Sequence, residues 1–103
     1  MDIDQLYVHD GTLSGVVEDI DNHILTLLVD LPENGWSETH IPKRIIFTNV
    51  WNYKIHEGSC QGRLTILDIH VVGSSHGQNI IRLESTWGYR EWEALAFELT
   101  DEK

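Results

Sequence analysis

The side chains able to do chemistry in this 103-residue chain are six histidines, one cysteine and 17 carboxylates, against only 7 Lys and Arg. His9 and Asp10 are adjacent in "YVHDGTL", just before a run that reads as a strand. A working acid-base dyad must converge on a third, reacting group, and neighbouring residues of a strand face opposite ways. The pair therefore reads as structural. Asp10-Gly11 turns the chain into the first strand, the carboxylate caps loop amides, and His9 bonds or packs locally. Asp68 and His70 in "LDIH" are two apart on a strand and share a face, so both could reach one metal ion. Two ligands do not make a site. Completing one would require His9, Asp10 or another distant histidine to arrive in space, and no CxxC or HExxH spacing forces that. The expectation is no metal and no cofactor, with Asp68 and His70 on the solvent face of a strand whose other face carries Leu67, Ile69 and Val71. Cys60 has no cationic neighbour and no helix start to activate it as a thiolate. Glycine-rich phosphate loops, GxSxG elbows and Rossmann fingerprints are also missing, so no catalytic residues are assigned.

Charge excludes more than motifs do. The formal net is −10, and residues 1 to 42 hold nine acids and no Lys or Arg. A field of that sign repels phosphate backbones and anionic membranes and attracts a basic protein. Four tryptophans are many for so short a chain. Most fall at strand-core parity, but Trp36 lies in the polar loop "PENGWSETH" beside Glu33 and Glu38 and is the expected contact anchor.

The elements that must position these groups are strands. "TLSGVVED" and "NHILTLLVDL" read as a hairpin closed by "EDIDNH", with Leu25, Leu27, Val29 and Leu31 on one face. From Ile41 a long run keeps Ile45, Phe47, Trp51, Tyr53 and Ile55 in period-two parity, interrupted by Asn49, where a bulge would turn that residue outward. "RLTILDIHVV" and "IIRLESTW" are further strands separated by the loop "GSSHGQN", and Gly88 marks a tight reversal. "YREWEALAFELT" fits a helical stripe through Trp92, Leu95, Ala96 and Leu99, and a strand through Leu95, Phe97 and Leu99; the strand is preferred. The expected fold is one all-β domain over residues 1 to 103, an antiparallel β-sandwich or partly open barrel of about six to seven strands, with a short helical turn at "DIDQLY". No apolar run is long enough to span a membrane, the first residues are acidic where a signal peptide is basic, and a lone cysteine suits a reducing compartment, so the expected location is the cytoplasm.

With the strands placed, "HDGTL" and "IIFTNVWNY" resemble a pattern found in small uncharacterised bacterial β-rich proteins, with an His-Asp-x-x-Leu start and a Phe-x-Asn-Val strand. Some of these are grouped with immunity proteins of polymorphic toxin systems. The residues that carry the resemblance are His9, Asp10 and Leu13, then Phe47, Asn49 and Val50. It implies an all-β fold, a strand at the C-terminal segment and neutralisation of a partner by binding, and it brings no catalytic or metal role.

The leading functional expectation is a non-enzymatic domain that binds a basic protein partner, as an immunity-type inhibitor would, by occlusion. Asp19, Asp21, Glu33 and Glu38 would steer the encounter and Trp36 would anchor it. A rival reading is a small-ligand or carbohydrate module stacking its ligand on Trp36, Trp51 or Trp87. A third is a metal-dependent hydrolase using His9, Asp10, Asp68 and His70. Exposed edge strands also offer a route to a homodimer.

Overall fold

The computed structural model describes residues 3–33, 39–58 and 62–101. One 3-10 turn, Ile3–Gln5, precedes eight strands: β1 (Thr12–Asp19), β2 (Ile24–Pro32), β3 (His40–Thr48), β4 (Trp51–Glu57), β5 (Ile66–Ser75), β6 (Gln78–Ser85), β7 (Gly88–Ala94) and β8 (Ala96–Asp101). They form two four-stranded antiparallel sheets, ordered β1-β2-β3-β8 and β4-β7-β6-β5. The fold is all-β, an open sandwich. Among the described residues no helix is long and apolar enough to cross a membrane.

The alternation in β2 does what it promised: Leu25, Leu27, Val29 and Leu31 are all buried, and Ile45 and Phe47 of β3 meet them from the next strand. Trp92 of β7 closes this core from the second sheet, its ring edge-on to Phe47 with centroids 4.9 Å apart. Such a pair adds about 1 kcal/mol beyond the area it buries.

Eight strands replace the expected six or seven because two long runs each change sheet. Asn49 adopts a left-handed backbone, φ 53°, which ends β3 and starts β4 in the other sheet. The parity expected through Asn49 is corrected there: Val50 takes the core position, while Trp51 and Ile55 are exposed. A bulge between Trp51 and Lys54, with Asn52 also left-handed, completes the break. Facing this corner, the C-terminal run is extended as preferred, but it divides at Leu95 into β7 and β8. Leu95 is exposed, and its N–H donates to the Thr48 carbonyl at 3.0 Å, which ties the two corners together.

Two smaller corrections have local causes. The loop "GSSHGQN" shrinks to His76-Gly77, because both residues have positive φ and make the two-residue turn whose twist matches a β-hairpin. Leu67 is exposed rather than facing inward with Ile69, since a bulge between Ile66 and Asp68 advances the face by one residue. Gly88 is required by close approach: a Cβ there would stand 2.2 Å from the His56 carbonyl oxygen.

Candidate docking surface at the β1–β2 hairpin

The residues Ile20 to His23 close the β1–β2 hairpin. Asp19 sets the turn, its carboxylate accepting from the Asn22 backbone N–H at 3.3 Å and from the Asn22 side-chain amide at 2.9 Å. This is the local bonding that makes Asp and Asn turn residues. The tip does not wave free. The Val50 N–H donates to the His23 carbonyl at 2.8 Å, and the His23 imidazole stacks on the Trp51 indole with centroids 4.1 Å apart. Trp51 is held in turn by its indole N–H, which donates to Asn49 Oδ1 at 3.2 Å.

The sheet-switching corner and the hairpin tip thus make one fixed surface. Ile20 is 73% exposed and Trp51 49% exposed, and both line a groove with Glu18, Asp19, His23 and Tyr53. Asp21 is exposed at the tip itself. Among the described residues, no Lys or Arg lines the groove. An apolar pair rimmed by carboxylates offers an anchor that can be desolvated and a field that attracts cations.

The expected contact residues separate. Asp19 and Asp21 lie at this tip, whereas Glu33 follows Pro32 at the far end of β2, roughly 27 Å of strand away. Trp36, Glu38 and Cys60 lie outside the described residues. Sequence reasoning offered Trp51 only as one of three ligand-stacking candidates and not as a protein-contact anchor, because its parity matched Phe47; the signal for its exposure is Asn49, a residue that tolerates the left-handed backbone needed to change parity.

The motif residues serve the frame. Val8 to Gly11 form a turn, with the Gly11 N–H donating to the Val8 carbonyl at 2.9 Å and Asp10 left-handed at φ 67°. The Asp10 N–H then reaches the Ile66 carbonyl at 2.9 Å, the Ile66 N–H reaches Gly11 at 2.7 Å, and the Leu13 N–H reaches Leu64 at 3.1 Å. These bonds clasp the first sheet to the second where β1 and β5 begin. His9 Nδ1 bonds the Leu67 carbonyl at 2.8 Å, while the Asp10 carboxylate lies 3.5 Å from His9 Nε2 and stays exposed. In the second motif Phe47 and Val50 are core residues. Asn49 knots the corner to β6: its side-chain amide donates to Gln78 Oε1, and the Gln78 amide returns a bond to the Asn49 carbonyl at 3.0 Å.

Elsewhere, Arg90 forms a part-buried network. It donates to both Glu57 oxygens, at 2.6 and 2.9 Å, and to the Tyr53 hydroxyl at 2.9 Å. The Glu57 bonds hold the guanidinium above its ordinary pKa despite burial, and burial raises Tyr53 although its bond to Arg90 opposes that. Arg90 also lines a cleft of about 590 Å³ between β1 and β7, where three of its five N–H donors hold Glu57 and Tyr53. On the outer face of the second sheet, Asp68 and His70 meet Glu84, a third side chain of a type able to ligate a metal, which the sequence reading did not include.

The fold defines the class to which this chain belongs, an open all-β sandwich of two four-stranded antiparallel sheets. An uncharacterized protein from Neisseria gonorrhoeae, known from a crystal structure, is similar to it with a TM-score of 0.62 over 88% of this chain and 90% of that one. The identity is 15%, so the likeness is one of fold. No protein-family model matches the chain, and no curated protein matches its sequence.

Proposed function

We propose that this chain is a non-enzymatic binding domain whose β1–β2 tip docks on a basic surface of a partner protein and occludes it, as an immunity-type inhibitor does. The observation that carries this reading is the groove that exposed Ile20 and Trp51 line together with Glu18 and Asp19, with Asp21 exposed at the adjoining tip. Carboxylates at a rim act mainly on the rate of encounter, and an aromatic anchor acts mainly on the lifetime of the complex. The chain's net charge of −10 extends the attraction beyond the tip. The test is a pull-down from native lysate at low and then high salt, read by mass spectrometry. A basic protein that salt releases supports the reading, and association rates unchanged by ionic strength remove the steering.

A second reading rests on the polar pocket that Trp51 shares with Asn49, Asn52, His76, Gln78 and Glu93. An exposed indole beside amides and a carboxylate is the pairing a sugar needs, stacking for its apolar face and hydrogen bonds for its hydroxyls. Tryptophan emission that shifts on titration with a sugar favours this reading; a flat response across sugar classes favours the protein partner.

A further inference from the structure

We propose that Asp68, His70 and Glu84, on the outer face of the β5–β6 ladder, bind one divalent transition-metal ion. Asp68 and Glu84 are direct cross-strand partners, and His70 follows Asp68 by two residues on the same face, in the stretch of β5 between its two bulges. His70 Nδ1 lies 3.0 Å from Asp68 Oδ2 and 3.9 Å from Glu84 Oε2, and ligand atoms of all three lie within 4.8 Å of one another. A tetrahedral ion bound at about 2.1 Å to nitrogen and oxygen needs donors about 3.4 Å apart. The two histidine distances straddle that value, and the Glu84 side chain, 44% exposed, has the rotamer freedom to close the rest.

Charge supplies an independent argument. Like charges placed directly opposite in a sheet destabilise it, and Asp68 opposite Glu84 is such a pair. Arg82, the cross-strand partner of His70, gives two N–H bonds to Glu91 at 3.0 and 2.8 Å and lies over the Tyr89 ring, so its charge reaches Glu84 only as a lesser interaction. A divalent ion would cancel both carboxylates at the point where the sheet leaves them facing each other. One imidazole with two carboxylates suits first-row metals such as zinc or manganese, and solvent reaches the cluster to fill the remaining positions. His9 and Asp10 fall outside this group, and the site shares no residue with the docking surface, so the two readings stand or fall separately.

The experiment is calorimetric titration of the whole purified chain with zinc ion alone, alongside the nuclear magnetic resonance signal of the His70 ring. The expected result is one tight equivalent that shifts the His70 resonance. His70→Ala and the near-isosteric Glu84→Gln should each weaken it at least about tenfold. His76→Ala, which removes an exposed imidazole elsewhere, should leave it unchanged. Circular dichroism checks folding, and Glu84→Gln decides if His70→Ala does not fold. Wild-type protein that takes up no zinc at millimolar concentration overturns the proposal, as does an equivalent that persists unchanged in Glu84→Gln.

Discussion

Replacing Glu57 with Gln changes one atom's chemistry and leaves a part-buried guanidinium without its counter-charge. Glu57 and Arg90 are 11% and 14% exposed at the side chain and joined by two hydrogen bonds, the geometry in which an ion pair is hardest to break. Removing one partner of a fully buried pair costs about 3–5 kcal/mol. Residual water access, the surviving bond to Tyr53 and one bond to the Gln oxygen reduce that here to about 2–3 kcal/mol. With an unfolding entropy near 2.1 cal/mol/K per residue, the 103-residue chain loses about 4.6 °C of Tm per kcal/mol. Glu57→Gln should therefore lower Tm by about 9–14 °C in circular dichroism melts, with a matching fall in urea midpoint. The paired replacement Glu57→Leu with Arg90→Met should recover most of the loss, because no charge is then left behind. A single variant that melts within about 2 °C of wild type, or a double variant no better than the single, would refute this account of the network.

Two further predictions concern the same corner of the molecule. Because burial raises the Tyr53 pKa in the folded state, the folded phenol keeps its proton at pH values where the unfolded one has lost it. Stability should be level below about pH 10 and fall as pH rises beyond it, and urea titrations between pH 8 and 11 should show a shallower fall in Tyr53→Phe. Asn49→Ala should cost about 2–3 kcal/mol, part from a left-handed backbone that Ala tolerates poorly and part from Gln78 Oε1 losing its donor. Asn49→Gly should cost less by about 0.5 kcal/mol, since it relieves the backbone and adds freedom only to the unfolded chain; equal losses in chemical denaturation would contradict the left-handed requirement.

The hairpin β1–β2 was legible because one face is buried without interruption, so period-two alternation from Leu25 to Leu31 records its environment directly. What alternation cannot record is a strand that changes sheet. At Asn49 and at Leu95 the backbone rotates, the inward parity is reset, and apolar residues on the far side of the break, Trp51 and Ile55, turn to solvent while still matching the earlier pattern. The candidate surface depends on that reset. Its acidic half, Asp19 and Asp21, could be read from composition and turn chemistry, whereas its aromatic half required knowing that Val50 bonds back to His23. Glu84 was hidden for a related reason: it meets Asp68 through strand pairing, which neither strand's own sequence encodes.

The most direct measurement of the central claim is a parallel capture from native lysate with wild-type bait and with bait carrying Ile20→Ser and Trp51→Ala, both shown to be folded. The account predicts a basic protein retained by wild type, released as salt rises, and absent from the double variant. The same protein held equally by both baits would contradict it and move the docking surface away from the hairpin tip.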